Sequence, residues 1–204
     1  MKKVSLFLIA LLLLGTAVFG QTLTQADRDK GLKHLEQTRD AIVAATKGLS
    51  DAQMKFKPAP DRWSVAETLE HVALAEDFLL QNVTDKTMKS PAGPADRDTA
   101  KADAMVLAMI PDRSHKAQAP PPLVPTGRWT PAETLDHFLK SRAQTIAFLE
   151  ATPDLRQHVA DSPLGQTLDA YEWLLFVSAH SERHTKQILE VEADPNFPKK
   201  QGTI

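Results

Sequence analysis

Residues 172–187 of this chain read EWLLFVSAHSERHTKQ, and their periodicity is that of a buried helix. With about 100° of rotation per residue, the apolar side chains of this stretch gather on one face. His180 and His184 lie on the same face, about 40° apart. The pattern predicts a helix over residues 167–192, with a threonine as its N-cap, that ends before Pro195.

Three further helices are predicted upstream from apolar periodicity and capping residues. The first covers residues 24–47. The second begins at Ser64, which forms a capping box with Glu67, and runs to about residue 86. The third covers residues 130–151 and has a proline at its first position, where the missing N–H costs nothing. The sequence therefore predicts an all-α four-helix bundle, and no segment has the pattern of a strand.

A long proline-rich crossover joins the second and third predicted helices. Residues 87–127 contain seven prolines, and each of them removes a backbone donor that a continuous helix would need. Residues 98–110 have the pattern of a short helix within this segment. The sequence leaves open whether the crossover shapes a functional site or only ties two helices together.

The first 20 residues have the pattern of a secretory signal peptide. Lys2 and Lys3 precede an apolar run at residues 6–14, and Gly15 and Thr16 lead to the small or permissive residues Val18 and Gly20. The run is shorter than the roughly 20 residues of a membrane-spanning helix. We therefore expect cleavage after Gly20, a periplasmic or secreted domain over residues 21–204, and no stable membrane span after cleavage.

Composition excludes several classes of function. The chain has 204 residues, enough for one domain, with 24 basic and 26 acidic side chains and a formal charge of −2. This balance offers no electrostatic surface for a nucleic-acid partner. The absence of cysteine excludes disulfides, thiolate nucleophiles and cysteine-ligated zinc. Any metal chemistry must therefore use histidine, aspartate and glutamate.

Two near-copies of one motif lie 66 positions apart. Residues 62–71 read RWSVAETLEH and residues 128–137 read RWTPAETLDH. We interpret them as two well-capped helix starts rather than a repeat array, which needs three or more units. The first copy ends in His71, at the edge of an apolar face, and the second ends in His137, among polar neighbours. His71 is expected at a boundary position and His137 in solvent.

His71, His180 and His184 are the candidate metal ligands. Two imidazoles one helical turn apart can converge on one cation, although such a pair also occurs in ordinary packed cores. Glu76 and Arg142 interrupt apolar faces, which suggests a buried ion pair; a carboxylate ligand role for Glu76 is the alternative. The remaining histidines are expected in solvent: His34, His115 and His158.

Several of these features together resemble the DinB/YfiT-like superfamily of small four-helix-bundle proteins. They are Trp63 and Ser64 followed by Glu67 and His71, the proline-rich crossover, and the run from Glu172 through His180 and His184 to Gln187. The resemblance covers about residues 23–192. It implies that His71, His180 and His184 hold a divalent metal, zinc or nickel.

The activities that the resemblance implies are metal-dependent hydrolysis and thiol S-transfer. An exported protein would not meet the cytosolic thiols that such transferases use, which favours hydrolysis of a small-molecule substrate. The alternatives are a thiol S-transferase-like enzyme and a non-catalytic metal- or ligand-binding bundle, and a homodimer is possible.

Three histidines with an open coordination position are typical of a catalytic metal site. Among nearby acids, Glu67 is better placed to support the site than Glu182, which points about 160° away from His184. The general base stays unassigned. Arg183, on the flank of the metal face, is a candidate to pair with a substrate anion or a neighbouring carboxylate.

Overall fold

A computed structural model describes residues 21–114 and 116–199 of the chain. The expected four-helix bundle is confirmed, and the predicted signal peptide and His115 lie outside the described residues. The long helices are α1 (Gln25–Thr46), α3 (Val65–Asp85), α5 (Pro131–Ala151) and α6 (Ala170–Glu192). The shorter elements are α2 (Asp51–Lys55), α4 (Thr99–Met109) and the 3₁₀ turns Thr87–Lys89 and Pro121–Leu123.

The expectation that no segment forms a strand is wrong. Strands β1 (Val159–Asp161) and β2 (Thr167–Asp169) pair antiparallel, with Gly165 in the left-handed conformation that their turn requires. Three residues are too few to show an alternating pattern in the sequence. Because Thr167 is in β2, the N-cap of α6 is Asp169, which forms a capping box with Glu172.

The four long helices pack in the cyclic order α1, α6, α3, α5. Tyr171 reaches the backbone of Asp27 and His34 contacts Ser178, so α1 and α6 run parallel. The end of α5 meets the start of α1, where Arg28 donates to the Leu149 carbonyl, and the start of α3 meets the second half of α6, where His71 contacts His184. Both α3 and α5 therefore run antiparallel to α1 and α6, and parallel to each other. The chain therefore has to return along the bundle between α3 and α5.

The crossover makes this return. Its central helix α4 is the short helix expected at residues 98–110, and it packs against α6. The Asp98 side chain accepts the backbone N–H of Lys101 and caps α4. Among the described residues, no helix is both long enough and apolar enough to cross a membrane.

A buried charge cluster surrounds the start of α6. The Arg156 guanidinium binds both carboxylate oxygens of Asp103, at 2.8 and 2.7 Å, and lies 3.2 Å from Asp169. Arg97, from the crossover, donates to Asp169 at 2.9 Å and also binds Glu172. Both carboxylates at the start of α6 are fully buried, and burial raises the pKa of each. With the Asp169 charge beside it, the pKa of Glu172 rises to about 7.

The free energy of unfolding is expected to fall as the pH rises, because Glu172 loses its proton. An acid with a pKa higher in the folded than in the unfolded chain stabilises folding at low pH, and this contribution is lost as pH approaches its folded pKa. For Glu172 the loss is on the order of 3 kcal/mol between about pH 4.5 and 7. Urea denaturation at pH 5 and pH 8 should show a larger fall for wild type than for Glu172→Gln. Equal falls in the two proteins would contradict this prediction.

Candidate metal centre

Three imidazoles from two helices meet on the inner face of the bundle. His71 lies in the second turn of α3, and His180 and His184 are one turn apart on α6. The His71 and His180 Nε2 atoms are 3.2 Å apart, and the His184 and His180 Nε2 atoms are 3.1 Å apart. One ring nitrogen from each residue lies within 4.8 Å of the others. The structure thus brings together the three histidines that the sequence singled out.

His71 is more deeply buried than the periodicity of its helix predicted. Its exposed fraction is only 4%, and that of His184 is 6%, whereas His180 is half-buried. The expectation of a boundary position for His71 is wrong because the crossover covers this edge of α3. The periodicity of a single helix carries no information about a segment that packs on it from elsewhere in the chain.

The tautomer of His71 is set by its hydrogen bond to the crossover. Its Nδ1 lies 2.8 Å from the backbone carbonyl oxygen of Leu123. A carbonyl oxygen only accepts hydrogen bonds, so Nδ1 carries the proton. The Nε2 of the neutral ring therefore presents a lone pair to the centre of the cluster.

The tautomer of His184 is likewise set by a hydrogen bond at Nδ1. Its Nδ1 donates to the side-chain oxygen of Gln187 at 3.0 Å, which leaves Nε2 unprotonated. The Nε2 atoms of His71 and His184 then both face the His180 Nε2, which can hold at most one hydrogen. One N–H cannot serve two acceptors well, so at least one buried lone pair in this cluster has no good donor.

A divalent cation fits this donor set. Metal–nitrogen bonds of about 2.0–2.1 Å place neighbouring ligand nitrogens about 3.3 Å apart in tetrahedral geometry and about 2.9 Å apart in octahedral geometry. The separations of 3.1 and 3.2 Å from the His180 Nε2 lie between these two values, and the three ligand nitrogens all lie within 4.8 Å of one another. If His180 also carries its proton on Nδ1, one bound cation accepts the Nε2 lone pairs of all three histidines at once.

The rings are kept neutral by their surroundings. Burial lowers the pKa of His71, and it lowers the pKa values of His180 and His184 well below the ordinary histidine value. In His180 and His184, repulsion from the neighbouring histidines adds to the effect of burial. Neutral imidazole is the form that binds metals, so the cluster is ready to coordinate at neutral pH.

Aromatic rings flank the cluster. The indole of Trp63 lies 4.8 Å from the His71 ring, between centroids, and Phe176 stacks on His180 at 6.4 Å with an interplanar angle of 18°. Such walls restrict the orientation of the imidazoles and lower the local dielectric constant. The half-buried His180 is the side of the cluster that solvent reaches.

The other histidines lie outside the cluster but are not simply solvated. His137 is partly exposed, binds Asp77 at 2.6 Å and stacks on Trp129. His34 binds Ser178 at 2.6 Å, and the Nδ1 of His158 binds a backbone carbonyl. These three imidazoles are partly exposed, as solvated rings would be, but each also has a hydrogen-bond partner that the sequence did not indicate.

The predicted ion pair between Glu76 and Arg142 is confirmed. The Arg142 guanidinium binds both carboxylate oxygens of Glu76 at 2.7 Å, and both side chains are buried. Thr145 donates to the same carboxylate at 2.8 Å. Because its oxygens already have these partners, the alternative role of Glu76 as a metal ligand is not supported.

The acids and the arginine considered as supporting groups have other partners. Glu67 caps α3 and binds Lys57 at 3.0 Å. The Glu182 carboxylate lies 3.5 Å from the His34 ring and 2.8 Å from the Lys186 ammonium. The Arg183 guanidinium donates to backbone carbonyls just after α4. None of these contacts provides a general base at the three imidazoles.

Sequence reasoning missed the residues that orient the ligands. Gln187 was visible three positions after His184, where a helix brings the two side chains together. No sequence pattern could have identified the Leu123 carbonyl, since every residue has a backbone carbonyl. Glu70 was passed over, although its carboxylate holds the segment after Leu123 in place.

Known proteins resemble this chain in sequence and in fold. A sequence model of the DinB superfamily matches residues 34–188. The uncharacterized protein YuaE of Bacillus subtilis strain 168 is 27% identical over 152 residues, which are 72% of this chain and 87% of YuaE. The structure of YfiT from Bacillus subtilis superimposes with a TM-score of 0.53 at 16% identity, covering 84% of this chain and 89% of YfiT. YfiT is described as a probable metal-dependent hydrolase with an unusual four-helix bundle topology, and the likeness shows a common fold.

Proposed function

This chain belongs to the DinB superfamily, and we propose that it is an exported metal-dependent hydrolase of a small-molecule substrate. The observation that carries the proposal is the convergence of His71, His180 and His184, with Nε2 separations of 3.1 and 3.2 Å. The Nε2 atoms of His71 and His184 are unprotonated because the Nδ1 of each ring carries the proton and donates it to an oxygen. The description of the structural neighbour YfiT as a probable metal-dependent hydrolase is consistent with this function.

His71, His180 and His184 are the residues that would hold the metal, and zinc or nickel suits three imidazole ligands. A bound divalent cation of this kind supplies an acidified water and polarises a substrate carbonyl. The protein contributes a rigid, partly dry setting: Trp63 and Phe176 flank the ligand rings. Of the three ligands only His180 is partly exposed, and so small an exposed area favours a small substrate over a polymer.

A non-catalytic metal-binding bundle is the second candidate. In the described part of the chain, the group of side chains able to hold a metal contains three histidines and no carboxylate. Both Glu67 and Glu182 have partners elsewhere, so the residues that the structure describes offer no evident acid–base group for turnover. This observation is what favours binding without catalysis.

Metal analysis followed by an activity screen tests the proposal. Purified protein without the first 20 residues should bind one zinc or nickel ion per chain. The loaded protein should hydrolyse at least one member of a panel of small esters and amides, and hydrolysis should stop on chelation. Metal binding with no turnover would favour the non-catalytic bundle, and turnover only of thiol conjugates would favour the transferase-like enzyme. A protein that binds no divalent metal would overturn all three.

Export is supported by the pattern of residues 1–20, with Lys2 and Lys3 before an apolar run. Expression of the full chain in a bacterium should yield a mature protein outside the cytoplasm that begins at Gln21. N-terminal sequencing of the fractionated protein measures this directly. An intact first residue in the cytoplasmic fraction would count against export without affecting the metal site.

A further inference from the structure

We propose that the crossover, through its described residues 87–114 and 116–127, is part of the metal site, and that Glu70 on α3 and Arg113 within the crossover are positioning residues that hold it there. The crossover contacts His71 through the Leu123 carbonyl and His184 through Arg113 and Gln187. These two contacts fix the tautomers of His71 and His184, so that both rings present Nε2 to the metal. The inference rests on the proposed function and adds to it a role for a segment that only connects two helices in sequence.

The crossover is much longer than its connection requires. It has to return along α3, which has 21 residues and is about 30 Å long. At about 3.3 Å per extended residue, roughly ten residues would span that distance. Residues 87–114 and 116–127 instead include the helix α4, which packs on α6, and the 3₁₀ turn Pro121–Leu123, which packs on α3. The additional length places chain on both helices that carry the candidate ligands.

The first contact is to His71. The Leu123 carbonyl that accepts its Nδ1–H ends the 3₁₀ turn Pro121–Leu123, and the Leu123 side chain is buried. Prolines at 120, 121 and 122 fix three successive φ angles before this carbonyl. The acceptor is therefore held in place before any metal binds.

Glu70 anchors this turn to α3. Its side chain is 3% exposed, and its carboxylate accepts the backbone N–H groups of Thr126 and Gly127 at 3.0 and 2.8 Å. Arg128 lies 3.4 Å from the same carboxylate. Because Glu70 immediately precedes His71, one turn of α3 carries both the ligand and the anchor of the segment that orients it.

The second contact is to His184, through Gln187. The Arg113 Nη1 lies 3.2 Å from the same Gln187 oxygen that accepts the His184 Nδ1–H. A guanidinium only donates, so it selects the orientation of the amide in which oxygen faces both groups. Glu190 holds the guanidinium with two hydrogen bonds of 2.7 Å. Arg113 thereby fixes the His184 tautomer without touching the ring.

Replacing either positioning residue should weaken metal binding and alter the histidine tautomers. We expect Glu70→Gln and Arg113→Met each to raise the zinc dissociation constant about 10-fold, the lower end of the range for direct partners of metal-bound histidines, because each residue acts one contact further out. Glu70→Gln should mix the tautomers of His71, and Arg113→Met those of His184. Titration calorimetry with zinc measures the first effect. Histidine ¹⁵N chemical shifts of the metal-free protein measure the second.

The motif copy provides a matched control. Asp136 corresponds to Glu70 and also precedes a histidine, but it is exposed and pairs with Lys140. Asp136→Asn should leave zinc affinity and the tautomers unchanged. If Glu70→Gln does not fold, Arg113→Met tests the other contact alone.

The outcomes separate this inference from the proposed function. Wild-type zinc affinity and wild-type tautomers in the folded variants would overturn the role of the crossover while leaving the metal site intact. A wild-type protein that binds no divalent metal would overturn the proposed function, and the ¹⁵N shifts of the metal-free variants would still decide whether the crossover sets the tautomers.

Discussion

The double variant His180→Ala, His184→Ala is expected to bind no stoichiometric zinc or nickel. It removes two of the three converging nitrogens and leaves only His71. Loss of an outer-sphere partner alone costs about 10–100-fold in metal affinity, so loss of two direct ligands should exceed 100-fold. Titration calorimetry and metal analysis of the purified protein measure this effect.

The motif copies supply the control for the third ligand. His71 and His137 end equivalent ten-residue motifs, and each packs against the tryptophan of its own copy, at 4.8 and 4.5 Å. His71→Ala should greatly weaken zinc binding, whereas His137→Ala should leave it unchanged because that ring pairs with Asp77. Equal losses in the two variants would mean that the three-histidine cluster is not the zinc site. Unfolding of the metal-free double variant would instead indicate that His180 and His184 are packing residues.

Arg142→Met is expected to cause the largest loss of stability, about 3–5 kcal/mol, as is typical when a buried ion pair loses one partner. Arg142 is fully buried, and its replacement leaves the Glu76 carboxylate without its main counter-charge. The guanidinium also binds the Leu35 carbonyl at 2.7 Å and Ser181 at 2.7 Å, so it joins α5 to α1 and α6. Urea denaturation at pH 7 measures the free energy of unfolding.

Lys140→Met is the matched surface control. Lys140 lies on the same helix and pairs with Asp136, but both side chains are exposed. Such pairs contribute about 0–1 kcal/mol, so this variant should remain close to wild type. Adding Glu76→Leu to Arg142→Met should restore part of the lost stability, because it removes the unpaired buried carboxylate. A loss below 1 kcal/mol for Arg142→Met alone would contradict the buried-pair interpretation.

The helices were predictable to within a few residues where capping boxes begin them. Ser64 and Thr130 cap α3 and α5 as expected. The start of α6 was misplaced because β2 takes residues 167–169 into a hairpin. The preference of a short segment for a strand depends on its partner strand, and β1 cannot be recognised from its own three residues.

The three histidines of the candidate site were predictable, but the groups that orient them were not. His180 and His184 share a helix, so their spacing alone places them together. The position of His71 beside them was implied by the family resemblance and is a contact between residues 109 positions apart. The groups that hold its ring, the Leu123 carbonyl and the Glu70 anchor, come from a segment that has no local pattern pointing to this role.

By itself, the sequence determined the helical bundle, the limits of its long helices apart from the start of α6, and the pairing of two histidines on one face of α6. These features depend on neighbours within one or two turns, and periodicity and capping record such interactions directly. Only the tertiary structure decided that His71 is buried, which tautomer it adopts and that the crossover covers it. Those properties come from contacts between distant segments, whose backbone carbonyls and amides are the same in every sequence.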